Sequence, residues 1–182
     1  MEFYESVRKR QSVRRYKPDP VSEDALGRIL ECFRQAPSWA NVQPWELILV
    51  RDPELKRRLQ ATLPKGNPAL SAVAEAPVVV ALVGIAGVSG SYKGQPVTRR
   101  GDWMLFDLGI AAEHLALAAA AEGLGTVHVA YFDYEKAGEV LGLPAGRTVV
   151  ELIPLGAPAH EPKRVDRKPL AGFLYQDLYG KR

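Results

Sequence analysis

The chain has 182 residues and a mass of 20.0 kDa, enough for one domain that buries a core of its own. Hydrophobic residues make up 47% and charged residues 25%, which excludes a disordered chain, a collagen-like repeat and a coiled-coil rod. The 24 Lys and Arg against 21 acids leave a net charge of +3, too little to argue for nucleic acid from charge alone. The lone cysteine, Cys32, has no partner for an internal disulfide, which suits a reducing compartment. The first residues, MEFYESVRKR, lack the apolar core of a secretory leader. Apolar runs such as 76–85 fall short of the roughly 20 residues of a spanning helix. The sequence therefore reads as a soluble, cytoplasmic protein.

In chain order, Ser22-Glu23-Asp24 opens a helix with a capping hydroxyl and two acids at its positive end. Leu26, Ile29, Leu30 and Phe33 follow at helical spacing, and the helix stops before Pro37. Cys32, between Leu30 and Phe33, reads as a small core hydrophobe. Residues 47–50 form a strand. Asp52-Pro53 caps a short basic helix that runs to about Leu63. Residues 77–83 lack polar alternation, as a buried central strand does. The segment 84–101 is a long polar loop. Asp102 is placed to cap an Ala-rich helix over 103–122, ended by Gly123-Leu124-Gly125. A strand is expected over 126–131, a short helix over 134–141 and a last strand over 149–154. The tail ends in Phe173, Leu174, Tyr175, Leu178 and Tyr179, an apolar set that needs a partner surface in this subunit or a second one. Without repeats or a linker-like boundary, residues 1–182 form a single α+β domain.

No P-loop, nucleophile elbow or strand-linked dinucleotide fingerprint occurs, and the three histidines have no metal-ligand spacing. Two clusters carry chemistry instead. Residues 8–17 hold six cations and no acid. If extended, Arg10, Ser12 and Arg14 aim one way, an arrangement suited to a phosphate monoester. The same run is equally a solvated basic turn or a nucleic-acid patch. Residues 36–45 bring Trp39 and Trp45 together with Ser38, Asn41 and Gln43. Buried amides need partners, and a flat heteroaromatic ring would supply them, with Pro37 and Pro44 stiffening the loop.

Taken in order, several short motifs span almost the whole chain. They are Arg10-x-Ser12-x-Arg14, Pro37-Ser38-x-x-Asn41-x-Gln43-Pro44-Trp45, Ala76-Pro77-Val78-Val79, residues 107–119 running into Gly123-Leu124-Gly125-Thr126, Leu155-Gly156, and Arg167-Lys168-Pro169-Leu170. In this order the sequence resembles the FMN-dependent nitroreductase family of NAD(P)H:FMN oxidoreductases. The resemblance implies a three-layer sandwich with a mostly antiparallel central sheet, and an intertwined homodimer holding FMN at its interface. It implies that the tail from about residue 157 crosses to the partner subunit.

It further implies that Arg10, Gln11, Ser12 and Arg14 meet the phosphate, ribityl chain and pyrimidine edge, with Arg167 completing the phosphate site. Gln11 stands where the family often has a cation, for which Lys163 or Arg164 compensates. Pro37, Ser38, Trp39, Asn41 and Gln43 line the ring pocket from the other subunit. His128, Val129, Ala130 and Tyr131 run along the flavin, with backbone N–H groups near N5 and O4. Asn67 is the nearest residue to the pyrimidine-facing amide of the family. For His128, a strand residue facing a helix is an even alternative. The segment from about Gly87 to Arg100 replaces the covering helices of longer members, which implies a more open site. The activity implied is hydride transfer from NADH or NADPH through FMN to nitroaromatics, quinones or similar acceptors in ping-pong order. No nucleic acid or membrane partner is expected. The alternatives are an FMN carrier or sensor of low turnover, and a flavin-free nucleic-acid module using the basic N-terminus.

Overall fold

A computed structural model describes residues 2–162 and 164–182. Its elements are α1 (Phe3–Lys9), α2 (Glu23–Arg34), β1 (Trp45–Val50), α3 (Pro53–Gln60), α4 (Leu70–Glu75), β2 (Val78–Ile85), β3 (Ser91–Tyr92), β4 (Gln95–Pro96), α5 (Met104–Ala121), β5 (Gly125–Thr126), α6 (Tyr134–Leu141) and β6 (Arg147–Gly156). A four-stranded sheet runs β1-β2-β6-β5, antiparallel throughout.

Alternation along the central strands divides the core into two. Val79 and Ala81 of β2 and Val149 and Leu152 of β6 face α3, α4 and α6. Val78, Val80 and Leu82, with Ile153 and Leu155, face α2 and α5. Period-two side-chain direction thus makes two apolar faces, and each needs a helical cover. The result is the expected α+β three-layer sandwich.

The helix signals work as their chemistry dictates. Ser22 Oγ accepts from Ala25 N at 3.3 Å, Asp52 Oδ1 from Leu55 N at 2.8 Å, and Asp133 Oδ1 from Lys136 N at 3.1 Å. Asp102 Oδ1 accepts from Met104 N at 2.9 Å. At the far end of α5, Gly123 takes φ +76°, while Leu124 N reaches Ala119 O and Gly123 N reaches Ala120 O. That paired closure is a Schellman motif, and it needs the left-handed glycine.

Several expectations are corrected. The basic helix ends at Gln60, short of Leu63. Residues 3–9, not anticipated as regular, form α1. The loop over 84–101 begins as the end of β2 and then folds into the β3–β4 hairpin. Cys32 is exposed rather than in the core, because the apolar stripe of α2 runs through Leu26, Ile29 and Phe33 and turns position 32 outward. α5 is an 18-residue apolar helix of mean hydropathy 1.5, long and apolar enough to cross a membrane, which the search for unbroken apolar runs missed. Its buried apolar residues pack against α1, α2 and β2, while Leu105 and Phe106 of its first turn are exposed.

The strand expected over 126–131 is broken. β5 pairs only Gly125 and Thr126, and the ladder resumes as a single bridge from Val129 to Leu152. In that register Val127 faces Pro154, which has no N–H to contribute. The carbonyl of Pro154 goes instead to the Tyr16 hydroxyl at 3.1 Å. The free edge of β5 is taken by the N-terminal segment, with Val13 N donating to Thr126 O at 2.9 Å. Gly125 permits this approach, since a Cβ there would collide with the Val13 side chain.

Candidate active site

The extended N-terminal segment separates two clefts. The larger, about 490 Å³, is lined by Arg8, Lys9, Arg10, Gln11, Thr126 and Arg164, among others. The smaller, about 210 Å³, is lined by Arg14, Asn67 and the run from Val127 to Tyr131. Arg10 and Arg14 thus serve neighbouring clefts rather than one, with Ser12 bridged to Thr126 between them. Arg167 lines neither; its Nη1 donates to Val165 O at 3.1 Å. Lys163 lies outside the described residues.

In the smaller cleft the interrupted strand exposes backbone. Among the described residues, the N–H groups of Ala130 and Tyr131 donate to no protein acceptor. Asn67 holds this run in place: its Nδ2 donates to Tyr131 O at 2.8 Å, and its Oδ1 accepts from Ala69 N at 2.8 Å. Both ends of the amide are therefore engaged within the chain. Arg14 is exposed, and among the described residues its Nη1 meets only the Ser12 carbonyl, at 3.4 Å.

His128 joins the two clefts. Its Nδ1 lies 2.7 Å from Glu151 Oε1 on β6, and its Nε2 lies 3.3 Å from Glu113 Oε2 on α5. The other oxygen of Glu113 is 3.4 Å from Arg10 Nε. Pairing with Glu113 and with Glu151 outweighs burial and pushes the His128 imidazole up to about 9. Sequence reasoning missed both glutamates. Each is a carboxylate set among apolar neighbours, Glu113 after Ala111 and Ala112 on α5 and Glu151 between Val150 and Leu152 on β6, which is the signal that could have found them.

The loop from Pro37 to Trp45 sits apart from both clefts, on the α2–α5 side of the sheet. Trp39 and Trp45 are half-buried, the latter edge-on to Phe33 at 5.5 Å. Asn41 and Gln43 are exposed, which corrects the expectation of buried amides; Gln43 Nε2 reaches Asn41 O at 3.2 Å. Ala40, Asn41 and Gln43 all take positive φ, of 47°, 57° and 48°. Three non-glycine residues in that region within four positions store backbone strain, which accumulates at functional loops. Two bonds hold it. Ser38 Oγ accepts from Gln43 N at 2.9 Å, and Asp107 Oδ1 accepts from Trp39 N at 3.0 Å. Asp107, 1% exposed, also accepts from the buried Ser89 hydroxyl at 2.6 Å, so one carboxylate pins this loop and the base of the β3–β4 hairpin.

The sequence pattern of the nitroreductase family matches residues 7–71 and 64–157. The chain belongs to the nitroreductase family. A Thermus thermophilus protein named NADH dehydrogenase is 35% identical, with 89% of each chain covered. The crystal structure of a nitroreductase family protein from Clostridium novyi NT is 34% identical, covers 100% of this chain and 96% of that one, and superposes with a TM-score of 0.79. An FMN-dependent nitroreductase from Clostridium difficile R20291 shares the fold at a TM-score of 0.79 with 24% identity, over 95% of this chain and 98% of that one. This nitroreductase family member is thus an oxidoreductase by family, and the shared fold spans both clefts and the strained loop.

Proposed function

We propose that the protein is a homodimeric, cytoplasmic FMN-dependent oxidoreductase that passes hydride from NADH or NADPH to nitroaromatic, quinone or related acceptors. The smaller cleft carries this reading. It offers a free guanidinium and two unpaired backbone donors on a run held by Asn67, beside a second cleft rich in cations. That donor set fits FMN. A phosphate monoester suits the Arg10, Gln11 and Arg164 side of the larger cleft, where guanidinium forks match its oxygens. The carbonyl and ring-nitrogen edge of a flavin suits Arg14 and the N–H groups of Ala130 and Tyr131.

FMN when bound supplies hydride acceptance and donation at its N5 atom, chemistry that no side chain of the protein provides. The chain's own residues bind and orient. Arg14, which lines the smaller cleft, would hold the ring edge and place there a fixed positive charge that favours an anionic reduced flavin. Ala130 and Tyr131 line the cleft with N–H groups that would serve as donors, and Asn67 holds this run through Tyr131 O. The loop of Pro37, Ser38, Trp39, Asn41 and Gln43 faces away from its own clefts, so it contributes from the partner subunit.

Exposed apolar residues at both ends of the chain support such a dimer. Phe3 and Tyr4 of α1 are 65% and 74% exposed, and Leu170, Phe173, Leu174 and Leu178 of the tail are all exposed. A tail of this kind cannot be left in water without cost, and the facing subunit covers it. Donor and acceptor take the same open space in turn, which produces ping-pong kinetics.

The purified protein, mixed with FMN and desalted, should stay yellow, run at twice its 20.0 kDa chain mass and bleach with NADH or NADPH in the absence of oxygen. Retained colour without bleaching indicates a carrier. Loss of all flavin on desalting ends the reading.

A further inference from the structure

Glu113 is an odd residue to find beside a cleft suited to a phosphate. It is the acidic residue of α5 closest to Arg10, and its carboxylate is divided. One oxygen lies 3.4 Å from Arg10 Nε, the other 3.3 Å from His128 Nε2. Both separations exceed the roughly 2.7–2.9 Å of a tight charge-assisted bond. The contrast is His128 Nδ1 and Glu151, at 2.7 Å. Glu113 is therefore shared loosely between two cations, while the other face of the imidazole is firmly held.

Resting on the flavin reading above, we propose that Glu113 is a positioning residue that occupies Arg10 until a phosphomonoester displaces it, after which the carboxylate rests on His128. Four charges make up the device. Arg10 and protonated His128 balance Glu113 and Glu151, so the set is neutral before the ligand arrives. Arg10 engages Glu113 through Nε alone, and no ion pair to its terminal nitrogens occurs among the described residues. Those nitrogens remain for an incoming phosphate. As the anion approaches, it competes with Glu113 for the guanidinium. Glu113 can yield because His128 offers it a second positive partner within reach, with its other side fixed by Glu151.

The imidazole is the part that responds to pH. It is faced by Glu151 from β6 and by Glu113 from α5, and it shares the smaller cleft with Arg14. The larger cleft, beside which Glu113 stands, is lined by the charged residues Glu5, Arg8, Lys9, Arg10, Glu161 and Arg164. Glu5 is occupied by Lys9 at 2.7 Å. Once His128 loses its proton, Glu113 has only Arg10 to turn to and holds it harder. Affinity for a phosphomonoester then falls as pH rises through about 9.

The test is FMN binding by flavin fluorescence at about pH 7 and about pH 10, on wild type, Glu113→Gln, Glu161→Gln and His128→Gln. Ionisation of the flavin itself is common to all four. At the lower pH, Glu113→Gln should bind roughly tenfold tighter than wild type, the value of one charge-assisted hydrogen bond released to the ligand. Glu161→Gln removes the same charge from the lining of the larger cleft itself, away from the Arg10–Glu113 pair, and should gain much less. His128→Gln should bind more weakly than wild type at the lower pH. The fall in affinity between the two pH values should shrink in both Glu113→Gln and His128→Gln. Three results overturn the proposal while leaving the flavin reading intact: no gain in Glu113→Gln, an equal gain in Glu161→Gln, or a full pH-dependent fall in Glu113→Gln. Wild type that binds no FMN at either pH overturns the reading and the proposal together.

Discussion

Arg10 and Arg14 stand four residues apart on one extended segment, carry the same side chain and differ in almost everything else. Arg10 is 16% exposed at its side chain and already faces a carboxylate. Arg14 is exposed and, among the described residues, meets only a carbonyl two residues away. A guanidinium with an internal counter-charge gains less from a ligand, because the anion must compete with the carboxylate that already shares it. A guanidinium that has only water and a long contact gains the full charge-assisted interaction. Identical residues in one motif can therefore contribute unequally to binding, and the tertiary partner decides which one dominates.

The largest expected effect follows from the free arginine. Arg14→Ala should lose about 2 kcal/mol of FMN binding, roughly thirtyfold in affinity. Arg10→Ala should lose less, about 1 kcal/mol, because Glu113 already offsets its charge. Fluorescence titration of both variants checks the order, and a larger loss in Arg10→Ala would reverse the comparison. A third expectation concerns stability. The His128 imidazole is raised from 6.5 to about 9 by Glu113 and Glu151. A group whose folded value is raised stabilises the fold fully below its unfolded value, and that contribution disappears as pH climbs through the folded one. Urea midpoints should therefore decline from about pH 6.5 to about pH 9, and the decline should be smaller in His128→Gln. The smallest effect belongs to Arg15, whose Nη1 pairs with Glu75 at 2.8 Å on the surface. Arg15→Ala should cost less than about 1 kcal/mol of stability and leave FMN affinity unchanged. A loss matching that of Arg14→Ala would show that the charge of the run matters and its placement does not.

Much of the architecture was legible along the chain. The caps at Ser22 and Asp52 and the stop at Gly123 are local chemistry, in which a side chain or a left-handed glycine satisfies groups within a few residues. The unbroken apolar run of β2 declared its burial on both faces. The candidate site was legible as motifs and not as geometry. Arg10, Ser12 and Arg14 do lie on an extended segment, yet they divide between two clefts, because the segment pairs along β5 and separates the space on either side of it. Residues 126–131 looked like one strand from composition. Pro154, 28 residues further along than Thr126, stands opposite Val127 in that register and interrupts the pairing there. Proline was visible in the sequence, but the register that sets it opposite Val127 was not.

The sequence by itself determined where helices begin and end, which strand lies at the centre, and the family to which the chain belongs. Those properties depend on neighbours within a turn or two, or on an order of motifs that survives without coordinates. Only the tertiary structure decided that Glu113 and Glu151 converge on His128, that Asp107 joins the strained Trp39 loop to Ser89, and that one arginine is paired while its neighbour is free. Each of these joins side chains from separate elements, at distances of a few ångströms where charge and hydrogen bonding are strongest. No local pattern encodes such a meeting, because it is the packing of helices on the two faces of the sheet that brings the partners together.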